Sequence, residues 1–128
     1  MRILKLLSVT LLFIAVPLAL VGTNARIVIN SQFLYEYGFD KYDIVARTGI
    51  ERKDLLYSSE QIIEYFSNGE ELLELKVPVN GIRRSIYSER EILHMRDVKN
   101  LVVGLYLSQA VSIAYIAVFS ALSIAITR

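Results

Sequence analysis

The chain has 128 residues, of which 54% are hydrophobic and 21% are charged, with a formal net charge of +1 and no cysteine. This length allows at most one small domain, and the near-neutral charge argues against a nucleic-acid-binding surface. The absence of cysteine excludes disulfides, thiolate nucleophiles and cysteine-based metal sites. Charged residues crowd the middle of the chain and are nearly absent from its two ends. A soluble domain would disperse them, so the pattern favours a membrane protein.

The first uncharged segment covers residues 6–21, and 11 of its 16 residues are Leu, Ile, Val or Phe. Arg2 and Lys5 precede it. Both a cleaved signal peptide and an uncleaved anchor have this pattern. No clean A-x-A cleavage site follows, so the sequence favours an anchor that forms the first transmembrane helix. Pro17 is expected to kink this helix without ending it.

The sequence predicts that residues 22–97 form a folded domain, because they contain patterns typical of helices and strands and no low-complexity stretch. Aromatic residues with a spacing of two predict an extended piece that packs near the membrane surface: Phe33, Tyr35, Tyr37 and Phe39. A short helix at about 41–48, capped by Asp40, and an amphipathic helix at about 51–66 are expected to follow.

A β-hairpin is predicted at about 72–87. Leu73, Leu75 and Val77 alternate with charged residues, and the pair Asn80–Gly81 follows. Asn-Gly between two such segments is the strongest short-range signal of a two-residue hairpin turn. Pro78 restricts the first strand to the edge of a sheet.

The segment Ser88–Glu91 reads Ser-Glu-Arg-Glu, which is the pattern of a capping box at a helix start. A helix is therefore expected from about 89. Residues 101–127 carry no charge, and at about 1.5 Å per residue they reach roughly 40 Å, more than the hydrocarbon core of about 30 Å. The second transmembrane helix is predicted at 98–127, continuous with the helix that begins at 89.

Together these elements predict an α-helical integral membrane protein with two transmembrane helices. Between them lies a small α+β extracytoplasmic domain of two short helices and a β-hairpin. Arg2 and Lys5 precede the first span, and Arg128 follows the second. The positive-inside rule therefore predicts that both termini, including residues 1–5, are cytoplasmic and that residues 22–97 lie outside.

His94, the only histidine, lies near the start of the last helix. At 100° per residue Asp97 is within about 60° of it on the helix surface. One hypothesis is that His94 pairs with Asp97 or Glu91 and anchors the helix at the interface. The other is that it acts as a general base, oriented by Asp97. One histidine with nearby carboxylates is a poor metal-ligand set, so neither a metal nor a cofactor is predicted.

The face that bears His94 continues through Gly104, Ser108 and Ser112. Small residues spaced by four allow another helix to approach closely in lipid. This face is therefore predicted to pack against protein.

Four motifs follow one another in a recognisable order. They are Y-x-x-x-x-x-T-G-I at 42–50, DLL at 54–56, IIEYF at 62–66 and YSEREILHMRDVKNLVVGLY at 87–106. In this order, and in its H-x-x-D-V-K core, the chain resembles a bacterial integral membrane family that includes the lipoprotein intramolecular transacylase Lit. The resemblance implies four spans in the cytoplasmic membrane, with an extracytoplasmic part between the first two. It also implies transfer of an acyl chain from the glyceryl ester to the α-amino group of a lipoprotein's lipid-modified cysteine.

The resemblance implies that His94 matches the first of two histidines thought to be catalytic, and that Asp97 has a supporting role. The second histidine belongs to a later F-H motif that this sequence does not contain. The expectation is therefore the N-terminal half of an O-to-N acyltransferase, truncated or in need of a partner and inactive alone. Expected partners are membrane lipid or a lipoprotein, and a second copy or a missing half with two more spans. The alternative is a non-enzymatic two-span membrane protein with a partner-binding or sensing domain.

Overall fold

The computed structural model describes residues 2–79 and 81–127, and it is mostly helical. In chain order its elements are α1 (Arg2–Ile29), α2 (Gln32–Lys41), α3 (Ile44–Thr48), α4 (Arg52–Tyr65), β1 (Lys76–Val79), β2 (Ile82–Ser85) and α5 (Glu89–Thr127). Two compact units result. The helix-pair unit combines Met1–Ile27 with Gly104–Arg128, and the mixed unit is Val28–Val103.

Two helices are long and apolar enough to cross a membrane. They are Arg2–Ile29 and, within α5, Glu89–Ile126. Only 6% and 11% of their most apolar windows are buried, unlike the core helix of a soluble protein. Helix α1 continues through Pro17. Both helices leave many large apolar side chains exposed, as segments in contact with lipid do.

Small residues form the inner face of α1. Its buried residues Ala15, Ala19 and Gly22 are spaced by four and three, which places them on one stripe of the helix. A Cβ atom added to Gly22 would lie only 2.6 Å from Cβ of Gln109 in α5. Glycine is therefore required at this position, because any larger side chain would push the two helices apart.

Polar side chains also join α1 to α5. Gln109 Nε2 donates a hydrogen bond of 2.8 Å to Thr23 Oγ1, and the Tyr115 hydroxyl donates one of 2.7 Å to the carbonyl of Ser8. The Gln109 side-chain oxygen has no hydrogen-bond partner among the described residues. The contacts run antiparallel, since the later residue of α1 meets the earlier residue of α5.

The aromatic segment predicted to be extended is helix α2, so that prediction is wrong. A spacing of two also places alternate members four residues apart, and residues four apart share one face of a helix. Phe33 and Tyr37 accordingly form an exposed pair, whereas Tyr35 and Phe39 form a half-buried pair. Four aromatic residues are too few to distinguish the two periods.

The predicted role of Asp40 as a helix cap is also wrong. Asp40 lies in the last turn of α2, and the residue that precedes α3 is Asp43. The Asp40 carboxylate instead accepts hydrogen bonds from Arg52 in α4. Helix α3 ends at Thr48, and Gly49 follows with a φ of 69°, the left-handed conformation that glycine adopts without strain.

The β-hairpin is present and shorter than residues 72–87. Strands β1 and β2 pair antiparallel, with Val77 opposite Arg84 and Val79 opposite Ile82. Of the two predicted turn residues, Asn80 lies outside the described residues and Gly81 has a φ of 80°. Val77 and Val79 are buried, whereas every residue of β2 is exposed. The hairpin is therefore held to its unit by one face of one strand.

The predicted capping box is confirmed. Glu91 Oε2 accepts hydrogen bonds of 2.7 Å from both the amide and the hydroxyl of Ser88, and the amide of Glu91 donates to Ser88 Oγ at 3.4 Å. The bonds from the Ser88 amide and hydroxyl lower the pKa of Glu91 below its ordinary value. From this start α5 runs unbroken to Thr127.

Acid should loosen the start of α5. Because the pKa of Glu91 is lowered in the folded state, its stabilisation is present above the ordinary glutamate pKa of about 4.3 and is lost as the pH falls below it. Hydrogen exchange at the amides of residues 88–92, corrected for intrinsic rates, should be faster at acidic than at neutral pH. Glu91→Gln should remove this pH dependence and Glu89→Gln should retain it. Equal protection at both pH values would contradict the expectation.

Gly22→Ala should destabilise the helix-pair unit by about 1–3 kcal/mol, because the new Cβ atom overpacks against Gln109. Gly104→Ala is the matched control. A Cβ atom there meets nothing within 4 Å, and alanine favours a helix over glycine by up to about 1 kcal/mol. Unfolding of the detergent-solubilised chain would measure both. Equal stability of the two variants would rule out a close approach at Gly22.

Candidate functional site

The H-x-x-D-V-K motif occupies the second and third turns of α5, within the mixed unit. Successive helix residues are 100° apart, so His94 and Asp97 lie on one side and Lys99 lies about 140° from His94. His94 and Asp97 are exposed, whereas only 8% of Lys99 is accessible. The motif therefore has an outer side, with the imidazole and the carboxylate, and an inner side with the ammonium group.

The Lys99 ammonium is enclosed by the segment that follows α4. Its Nζ atom donates hydrogen bonds of 2.9 Å to Asn68 Oδ1 and 2.6 Å to the carbonyl of Glu70. It also lies 4.2 Å from the centroid of the Tyr65 ring, within range of a cation–π interaction. We call these four residues the lysine cage. Two oxygen acceptors and one aromatic face compensate the loss of water around the charge.

Two further contacts fasten the same segment. The Tyr65 hydroxyl donates a hydrogen bond of 2.9 Å to the carbonyl of Glu71, and Arg96 Nη1 lies 3.4 Å from Glu71 Oε1. Burial raises the pKa of Tyr65, so its phenol remains a hydrogen-bond donor at neutral pH. These contacts together hold residues 68–71 against the inner side of the motif in α5.

Asp97 lines an open depression of about 550 Å³ beside the lysine cage. The other lining residues are Gly69, Glu70, Glu71, Arg96, Lys99 and Asn100. Asp97 Oδ1 lies 3.7 Å from Arg96 Nε, and the arginine also contacts Glu71. With charged groups of both signs around it, the depression suits a polar group better than an acyl chain. His94 is not among the lining residues.

His94 is exposed, and no described residue forms a hydrogen bond or an ion pair with its imidazole. The partners predicted for it are occupied elsewhere. Glu91 accepts hydrogen bonds from Ser88, and Asp97 lies next to Arg96. The structure thus lacks the anchoring pair of the first hypothesis. The imidazole is open to an incoming molecule.

The structure does not bring the three predicted packing residues together in one contact. Ser112 is buried, and Ser108 is half-buried with its hydroxyl bonded to the carbonyl of Leu105 at 2.8 Å. Gly104 is exposed, as is Leu101 with 75% of its surface accessible. Packing of the exposed part of this face against a further helix stays a prediction.

Sequence reasoning missed the lysine cage and the Gly22–Gln109 contact. The stripe Ala15, Ala19 and Gly22 was a usable signal for the second, because small residues on one helix face mark close helix packing. No local signal pointed to the first, since the acceptors of Lys99 are about thirty residues earlier in the chain. Among the described residues, no group of three His, Cys, Asp or Glu could hold a metal ion.

Comparison with protein-family models identifies one match. The model is described as lipoprotein intramolecular transacylase Lit, and it covers residues 10–127. This range contains α1 from residue 10 onward, all of α5, the mixed unit and the motif that bears His94. Comparisons with curated proteins and with solved structures found no match.

Lys99→Met should destabilise the mixed unit by about 2–4 kcal/mol, because the side-chain length is kept while Asn68 and Glu70 lose a buried donor. The segment 68–71 should also exchange its amide hydrogens faster. Arg90→Met, on the exposed side of the same helix, should change stability by less than about 0.5 kcal/mol. Denaturant unfolding with hydrogen exchange would test this. Equal stability of the two variants would show that the lysine cage contributes nothing.

Proposed function

Because the chain belongs to the family of the lipoprotein intramolecular transacylase Lit, we propose that it takes part in acyl transfer on a membrane lipoprotein. The family match over residues 10–127 is the observation that carries this proposal. We further propose that α1 and α5 span the bacterial cytoplasmic membrane, with both termini in the cytoplasm and the mixed unit outside. Two candidate spanning helices and the basic residues at the chain ends support this arrangement.

The proposed reaction moves an acyl chain within one molecule. The α-amino nitrogen of the lipid-modified cysteine attacks the carbonyl carbon of a glyceryl ester. A carbon–nitrogen bond forms, the carbon–oxygen ester bond breaks, and the products are an amide and a free glyceryl hydroxyl. One proton must leave the amine and one must reach the alkoxide. The reaction therefore needs no redox partner and no second substrate, but it does need a group that can accept and return a proton.

We assign the proton transfer to His94. Histidine is the side chain best suited to exchange a proton near neutral pH. Its imidazole is exposed and is not occupied by another described residue, so an amine could approach it. In this role it accepts the proton of the attacking amine and returns it to the glyceryl alkoxide. Holding the amine and the ester together supplies the remaining rate advantage.

Asp97 is proposed as a positioning residue for His94. Side chains three residues apart on a helix can meet, so a change of rotamer would bring the carboxylate to the imidazole. In the structure Asp97 Oδ1 instead lies 3.7 Å from Arg96 Nε. The lysine cage supports the same turn of α5 from its inner side. The reacting groups would thus project from a backbone that is already fixed.

A tetrahedral intermediate also needs a hydrogen-bond donor for its oxyanion. We propose that a further membrane helix supplies this donor and covers the exposed face at Leu101 and Gly104. The open space beside Gly104 would allow a close approach. The helix would come from a further span of the protein or from a second copy of the chain, in keeping with activity only in an assembled state.

His94→Gln should abolish formation of lyso-form lipoprotein, with a loss of at least about 100-fold, because glutamine is polar and similar in size to histidine but cannot relay a proton. Mass spectrometry of lipoproteins would measure it, in cells that convert them only when this chain is expressed. Leu93→Ala, an exposed neighbour on another side of α5, is the control and should retain conversion. Unchanged lipoprotein spectra in the His94→Gln cells would refute the assignment.

A second candidate function is a non-enzymatic membrane protein whose mixed unit binds a partner. The observation that favours it is the absence, among the described residues, of any group that orients the His94 imidazole. In that case His94→Gln is silent, whereas Gly104→Leu disrupts association of the chain with its partner. Lipoprotein mass spectra of the His94→Gln cells distinguish the two functions, because the acyltransferase requires His94 and the binding protein does not.

A further inference from the structure

Charge is unevenly distributed along the mixed unit. Residues 28–75 carry ten acidic and four basic side chains, a net charge of −6. Residues 76–87, which contain the β-hairpin, carry Lys76, Arg83 and Arg84 and no acidic residue, a net charge of +3. The hairpin is thus a basic projection on an otherwise acidic unit.

The basic side chains of the hairpin have no acidic partner among the described residues. None of the described carboxylates forms an ion pair with Lys76, Arg83 or Arg84. Arg83 Nη2 does reach the carbonyl of Lys76 at 3.5 Å, but this contact leaves its charge in place. Successive strand residues project to opposite faces, so Arg83 and Arg84 present positive charge on both sides of the hairpin.

An apolar side chain stands beside these charges. Ile82 begins β2 next to the turn and is 70% exposed. Its cross-strand neighbour Val79 is buried, so β1 contributes side chains to the interior of the unit, whereas β2 is exposed to solvent. Ile82 shares its face of the hairpin with Arg84, whereas Arg83 projects from the opposite face. An exposed isoleucine beside basic residues is the combination found where proteins bind the boundary between lipid headgroups and acyl chains.

On the basis of the membrane location proposed above, we propose that the β1–β2 hairpin docks on anionic phospholipid headgroups. The β2 edge would face the lipid, so that Ile82 enters the apolar boundary. Arg84 on one face of the hairpin, and Arg83 and Lys76 on the other, would contact phosphate groups. Each basic residue near an anionic surface strengthens such binding about fivefold. In the proposed location the hairpin belongs to a chain that is anchored at a lipid surface, which makes headgroups the partner present at highest local concentration. An acidic protein would match the charges but would give no reason for the exposed Ile82.

Docking would restrain the site as well as the hairpin. Only Ile86–Ser88 separate β2 from the capped start of α5, and His94 follows within two turns. A hairpin fixed on headgroups would therefore limit the movement of His94 relative to the lipid surface.

The test uses the full chain reconstituted in nanodiscs, where the natural absence of cysteine permits single-site labelling. A bimane label at Ile82→Cys should emit at shorter wavelength in phosphatidylcholine containing phosphatidylglycerol than in phosphatidylcholine alone. Salt at about 0.5 M should reverse the shift, because it screens exposed charges. A label at Tyr57→Cys, exposed on α4, should not respond to lipid composition.

Arg83→Glu/Arg84→Glu, introduced into the Ile82→Cys chain, should abolish the lipid-dependent shift. Loss of two basic residues alone corresponds to binding weakened about 25-fold. The matched control, Arg47→Glu/Lys53→Glu, makes the same change in net charge on another part of the unit and should leave the shift intact. An equal loss in both double variants would overturn the hairpin as the docking surface.

Alkaline carbonate extraction separates the two levels of failure. A chain that carbonate removes from membranes overturns the proposed membrane location together with the docking. A chain that resists extraction, but whose label at position 82 gives the same emission in both lipids, overturns the docking alone. A shift caused by an acidic polypeptide, in the absence of any dependence on lipid, would also overturn it in favour of a protein partner.

Discussion

The burial of one ammonium group organises the mixed unit. A charge removed from water costs several kcal/mol unless acceptors surround it. Lys99 meets this requirement with Asn68, the carbonyl of Glu70 and the ring of Tyr65. All three belong to the end of α4 or the segment behind it. The contacts around this one charge therefore join that segment to the start of α5. His94 lies on the outward side of the same part of α5 and takes no part in these contacts.

The parts of the fold that could be predicted from the sequence have local causes. The apolar helices follow from composition, the hairpin from a two-residue turn signal, and the start of α5 from hydrogen bonds between residues three apart. Helix α2 could not be predicted because its aromatic spacing fits two periods at once. The lysine cage depends on residues distant in sequence, and no local pattern encodes such a contact.

The candidate site could be predicted from the sequence to a similar extent. Helical spacing places His94 and Asp97 on one side, and both are exposed there. Spacing does not determine side-chain rotamers, and the carboxylate of Asp97 lies beside Arg96 rather than the imidazole. The family relationship was recognisable from the motif around His94, and the match over residues 10–127 confirms it. The position of Arg83 and Arg84 on the hairpin was predictable from the sequence, whereas the exposure of Ile82 beside them needed the structure.

The hydrogen bond from Gln109 to Thr23 has a consequence for the order of biogenesis. An unsatisfied polar group in hydrocarbon costs several kcal/mol, so α5 would enter a bilayer at a penalty if it entered alone. Thr23 lies in α1, which is translated more than eighty residues earlier. If α1 already spans the membrane as proposed, Thr23 offers Gln109 an acceptor and removes much of that penalty. The first helix would thus act as an insertion template for the second.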